Sequence, residues 1–177
     1  MSQLKVNSIV PVGGLPSGAN GGIIQVVQQT QTSKVTTTGT SYVDTGLSAS
    51  ITPSSNSSKI LVIVTQRFFI ERSTDQARGG FRLLRGSTAI LQGPSNASGS
   101  EPSGEGFSAA NGPQAIQVAG AYSCSFLDSP STTSATTYKT QFANHQSSAS
   151  PTIYVNGTNV TTGDDGVSTM TLFEVTA

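Results

Sequence analysis

Chemistry at a protein site needs titratable or nucleophilic groups that converge, and this chain offers few of them. His145 is the single imidazole. It stands in the polar run FANHQSSAS with no carboxylate within several residues, which reads as a loop histidine rather than a general base. Any of 27 serines would complete a Ser-His-Asp triad on paper, but no nucleophile-elbow sequence surrounds one. Cys124, the one cysteine, sits in AYSCSFL, where alternation puts Tyr122, Cys124 and Phe126 on one face. The expected role there is a small buried hydrophobe, and a lone cysteine leaves no internal disulfide framework or thiolate metal cage.

Two aspartate-bearing segments read as turns. Asp164-Asp165-Gly166 carries the oxygen ligands of half a calcium site, yet Asp-Gly ahead of a strand is a hairpin signal, and the turn is the expectation. Asp128-Ser129-Pro130 likewise reads as a turn closing a strand that ends at Leu127. Arg78, Arg82 and Arg85 form the densest positive cluster. The last two lie in FRLLRG, where they are expected to flank a sheet edge or to pair with Glu71 or Asp75. The paired carboxylates of a polysaccharide depolymerase are not apparent, since nine acidic residues are scattered mostly through turns. No catalytic, cofactor-binding or metal-ligating set is predicted, and the chain is expected not to be an enzyme.

Recognition without catalysis remains open to it. Sugar binding relies on hydrogen bonds and aromatic stacking. There is no Trp, and the four tyrosines are Tyr42, Tyr122, Tyr138 and Tyr154. Tyr42 and Tyr154 fall near predicted strand ends and are the better candidates for exposure, hence for receptor contact, while core or rim packing is the commoner role for each. Four Asn-x-Ser/Thr sequons, at Asn56, Asn96, Asn156 and Asn159, compare with about two expected by chance in so hydroxyl-rich a chain. The Thr-rich runs TTTGT and STTSATTYKT do not repeat regularly enough to predict an ice-binding face.

The composition behind these residues is unusual. Of 177 residues, 27 Ser and 23 Thr carry a small hydroxyl, while only 10% are charged and the formal net charge is zero. Ordinary domains carry roughly 25% charged residues. Zero net charge argues against nucleic-acid binding, which needs a basic surface, and against charge-driven disorder. No apolar run approaches the roughly 20 residues of a membrane span. The opening MSQLKVNSIV lacks the continuous apolar stretch of a secretory signal. A β protein made in a reducing cytosol is the expectation.

The elements divide into an arm and a domain. Residues 1–22 hold a short apolar stretch (Leu4, Val6, Ile9, Val10) followed by VPVGGLPSGANGG, too rich in Pro and Gly for a helix or a central strand. From the residues alone this segment reads equally as an extended arm or as a frayed, disordered terminus, and the resemblance given below favours the arm. From residue 23 to 177 one domain is predicted, with strands near 23–28, 35–43, 47–52, 59–70, 80–85, 88–92, 114–127, 136–142, 152–155 and 168–175. The segment KILVIVTQRFFI reads as a central strand buried on both faces. Two turn-rich stretches, 93–112 and 145–151, are expected to be surface loops. The fold class is therefore all-β, an antiparallel β-sandwich or jelly roll with an extended N-terminal arm.

Several segments in this order resemble a known family. They are KVNSIVPVGGLPSGANGGIIQVVQ, TGLSASITPSSNSSKILVIV, FRLLRGSTAI, FLDSPSTTSATTYK and the closing MTLFEVTA. The chain resembles the small tail-fibre-like or virion structural proteins of tailed bacteriophages from marine and cyanobacterial hosts, over nearly its whole length. The resemblance implies a non-enzymatic particle component, made in the bacterial cytoplasm and ending on the virion. It would be a homotrimer with an N-terminal arm for attachment and a β domain for display. Attachment to a neighbouring virion protein or a sister subunit would fall to Leu4, Val6, Ile9, Val10 and Leu15, which gain affinity by apolar burial and by backbone bonds to a sheet edge. Host adhesion would fall to the domain, with a surface glycan as the expected partner. A capsid decoration protein that cements the shell without touching a receptor is the alternative. No cofactor, nucleic acid or membrane insertion is expected.

Overall fold

The computed structural model describes residues 22–72, 77–93, 105–109, 116–145, 151–160 and 166–175. Eleven strands occur among these residues: β1 (Ile23–Gln31), β2 (Val35–Thr37), β3 (Val43–Ile51), β4 (Lys59–Arg72), β5 (Ala77–Arg85), β6 (Thr88–Leu91), β7 (Glu105–Ala109), β8 (Ile116–Asp128), β9 (Thr136–Asn144), β10 (Thr152–Val155) and β11 (Ser168–Val175). No helix occurs among the described residues. Every strand pairing is antiparallel, and the strands form two sheets, a β-sandwich.

β4 organises the first sheet. Its 14 residues pair on one side with β8 over an unbroken register from Ile60↔Asp128 to Arg72↔Ile116. On the other side β11 pairs with its first half and β10 with its second half. β10 and β11 therefore run in line, and β1 and β2 pair with them one position further out. Asn156, directly after β10, has a φ of 56°, a left-handed conformation that asparagine adopts at small cost. In the second sheet β9 lies between β3 and β5, and β5 pairs on its far side with β6 and β7. A register shift between Asp44 and Ser48, with Gly46 at a φ of 88°, puts a bulge into β3.

Strict alternation drives the packing. Leu47, Ala49 and Ile51 of β3, Ile60, Val62 and Val64 of β4, and Met170 and Leu172 of β11 all point inward and are buried. Phe81 stacks between Tyr122, at 5.0 Å between ring centroids, and Phe142, at 6.0 Å. At one end Glu174 accepts the Ser54 amide and hydroxyl, both at 2.6 Å. Burial pushes its carboxyl up, but hydrogen bonds from the Ser54 hydroxyl and amide, joined by Ser58 and Ser55, outweigh that and hold it below the ordinary value.

The structure corrects four expectations. The predicted strand 35–43 is two pieces, because the chain bends through Thr38–Ser41 and Val43 opens β3. The predicted loop 93–112 contains β7, whose Gly-rich EGFSA pairs with β5. β4 is central but is not buried on both faces, since Ile63 is 40% exposed on the outer side. Asp128 is the last residue of β8, not a solvent-facing turn: it is buried, accepts Arg85 Nη1 at 2.9 and 2.8 Å and accepts the Tyr138 hydroxyl at 2.7 Å. These contacts tie the two sheets together.

Candidate functional site

A buried polar ladder crosses the core, and it decides which faces remain for function. Thr45 and Thr140 share a hydrogen bond between hydroxyls at 2.6 Å, and the Thr140 hydroxyl donates to Gln66 Oε1 at 2.8 Å. Gln66 Nε2 donates to Ser168 Oγ at 2.6 Å, as does the Arg67 amide at 2.9 Å. Ser168 Oγ in turn donates to Asn156 Oδ1. Asn156 Nδ2 closes the chain on the Gln31 carbonyl at 2.9 Å. Gln66, Thr140, Asn156 and Ser168 are each fully buried. With these polar groups satisfied inside, they are structural and face no substrate.

The two tyrosines singled out from sequence lie on opposite outer faces, so the structure does not bring them into one site. Tyr42 sits on the outside of the second sheet. The Arg82 guanidinium lies 4.0 Å from its ring centroid. Arg82 also donates to Gln141 Oε1 through Nε at 2.9 Å and Nη2 at 2.6 Å. Gln141 Nε2 donates to Asp44 Oδ1 at 2.6 Å, and Lys139 Nζ binds Asp44 Oδ2 at 2.9 Å. Burial alone would raise the Asp44 carboxyl, but Lys139 and Gln141 outweigh it and lower it, with Arg82 assisting. The Arg82 partners thus correct the expected Glu71 or Asp75 pairing, and Arg85 belongs to the Asp128 clamp.

His145 completes this outer row. It is buried, its Nε2 lies 3.4 Å from the Tyr42 hydroxyl, and its amide donates to the Arg78 carbonyl at 3.0 Å. The ring presses against Gly80: a Cβ there would stand 2.2 Å from His145 Cε1. Only glycine permits that approach. Desolvation pushes the Tyr42 hydroxyl up to about 12 against the lowering effect of Arg82, so it keeps its proton at neutral pH.

Tyr154 stands on the outside of the first sheet, beside Phe69 (ring centroids 5.7 Å apart) and Lys34 (Nζ 6.0 Å from its ring centroid). Its hydroxyl donates to Glu71 Oε1 at 2.6 Å. Desolvation, and then the Glu71 hydrogen bond and charge, raise it to about 12. The adjoining hollow, lined by Arg67, Phe68, Phe69, Ala119, Gly157, Thr158 and Gly166, is about 20 Å³, room for one water and not for a sugar ring.

Cys124 points inward and is half-buried, as its alternation predicted. Among the described residues no group of three or more His, Cys, Asp or Glu could hold a metal ion. Leu4, Val6, Ile9, Val10 and Leu15 lie outside the described residues, as do Asp164 and Asp165.

Sequence reasoning missed the outer face of the first sheet. The cross-strand register aligns Thr30, Thr169, Thr65 and Ser123 in one row, and Gln28, Thr171, Ile63 and Ser125 in the next. Gln28 Nε2 donates to Thr171 Oγ1 at 3.0 Å within that second row. A third row, Val26, Phe173, Leu61 and Leu127, is apolar, with Val26 and Leu127 about half exposed. The four contributing strands are far apart in sequence, so no linear repeat announces the rows. No protein-family model matches the chain, and no curated protein matches it.

Proposed function

We propose that this chain is a structural component of a tailed-phage particle, a fibre or spike part that attaches through residues 1–22 and displays the sandwich to the host surface. The observation that supports the adhesive half is the outer face of the first sheet. Its hydroxyl and amide rows, interrupted by the exposed Ile63 in the second, cross four strand positions at the sheet spacing of about 4.8 Å, and no charged side chain stands among them. A flat array of this kind offers donors and acceptors to the hydroxyls of a surface polysaccharide. One such contact is weak, so display of many copies supplies the avidity. The Tyr42 row, with its cation over the ring, adds a second polar surface on the other face.

The attachment half rests on the sequence of residues 1–22 and on the resemblance to phage virion proteins. Deleting residues 2–20 tests it. The truncated protein should fold, with an unchanged β circular-dichroism spectrum, and should be absent from purified particles. Incorporation at the level of the full chain would refute the assignment of the arm.

A further inference from the structure

We infer that two copies of this chain join through β8, pairing antiparallel about a two-fold axis so that their first sheets become one. The argument begins with backbone direction. Arg67 donates its amide to Ser168 Oγ and accepts the Asn156 amide at its carbonyl. Both bonds leave β4 on the side away from β8. Arg67 and its partner Ala121 are therefore a non-hydrogen-bonded pair of the β4–β8 ladder. The register has no shift, so the same holds at every second residue. The amides and carbonyls of Ala119, Ala121, Ser123, Ser125 and Leu127 point out of the sheet, and no described residue pairs with them.

Exposed edges are normally shortened, bulged, charged or interrupted by proline, because an open edge recruits strands. The other edges show these devices. β2, β6 and β7 have three, four and five residues. β3 carries its bulge and Asp44. β1 has a register shift at its start and packs beside β3. Among the described edges only β8 has none: it is 13 residues long, without proline or bulge, and its only charged residue, Asp128, points inward.

A second copy fits this edge better than a charged or chemically distinct partner. The edge is neutral, and an antiparallel strand is its own complement about a two-fold axis. With the axis at Ser123, Ser123 faces itself, Ala121 faces Ser125, and Ala119 faces Leu127 of the other copy. Five residues exchanging two bonds each make about ten hydrogen bonds, the number of an ordinary interface. In this register Phe126, half-buried at the margin of the core, faces Gly120 of the second copy and lies diagonal to its Val118, so each gains cover from the other. The hydroxyl row ending at Ser123 then continues without a break into that copy. This inference stands on the edge alone, does not depend on the particle assignment, and puts a two-fold pair in place of the homotrimer that the resemblance implies.

Sedimentation of the full chain over a wide concentration range tests it. The wild type should reach twice the monomer mass of 18.1 kDa. Ser123→Pro removes an amide that the β4 ladder does not use, so it should give a folded monomer. The double substitution Ala121→Lys with Ser125→Lys puts like charges opposite each other twice and should weaken the dimer about tenfold or more. Mixing it with the chain carrying Ala121→Glu and Ser125→Glu should restore the dimer as a heterodimer, a readout that holds even where the proline variant fails to fold. A wild type that stays monomeric, a three-copy assembly, or a charge pair that neither weakens nor restores association would overturn the inference.

Discussion

Ser168→Ala should destabilise the protein more than Gln66→Leu, although it removes a single oxygen. Both side chains are fully buried. Leucine at 66 deletes two hydrogen bonds but orphans nothing. The Thr140 hydroxyl turns to Thr45 Oγ1 at 2.6 Å, whose proton then goes to the Thr140 carbonyl at 3.2 Å, and Ser168 keeps the Arg67 amide and Asn156. Two net bonds at about 1 kcal/mol each, partly offset by apolar burial, give a cost of about 1–2 kcal/mol. Alanine at 168 instead leaves the Gln66 amide group, the Arg67 backbone amide and the Asn156 carbonyl oxygen without their shared partner. Each buried orphan costs about 1–3 kcal/mol, and partial healing leaves a total of about 3–5 kcal/mol. Urea unfolding at equilibrium, with an unchanged m-value in both variants, measures the difference. An equal or smaller cost for Ser168→Ala would refute the claim that Ser168 is the hub of the ladder.

The other expectations concern the clamps and the outer row. Tyr138→Phe removes a 2.7 Å bond to the Asp128 carboxylate and should cost about 1.5–3 kcal/mol in the same unfolding assay. Gly80→Ala should cost about 1–3 kcal/mol by driving a Cβ into the His145 ring, and adding His145→Ala should recover most of that loss in a double-mutant cycle. Glu174, whose folded carboxyl is held below its ordinary value of 4.5, stabilises the fold fully above the unfolded value. That contribution fades as pH falls through the folded value. Melting followed from neutral pH to about pH 3 should therefore show a steeper acid loss in the wild type than in Glu174→Gln, which is less stable at neutral pH.

Much of the fold was legible because alternation is a local signal. Leu47–Ala49–Ile51 and the apolar run of β4 announced inward faces, and Cys124 lay where its neighbours put it. What escaped was set by partners distant in sequence. Gln66, Thr140 and Ser168 form one ladder across separations of 74 and 102 residues, and nothing near any of them marks it. Asp128 looked like a turn because a polar residue after an apolar run usually is one; its buried role needs Arg85 and Tyr138 from the facing sheet. β7 escaped because EGFSA has turn composition and becomes a strand only beside β5. The outer threonine rows are visible only in the register, and the missing edge protection of β8 only once its neighbours are known.

The central claim, a displayed component of a phage particle, is tested most directly by electron cryomicroscopy of intact particles labelled with an antibody against this chain. The account predicts label at the tail, with the sandwich outward. Label spread over the capsid shell, or none on the particle, would contradict it.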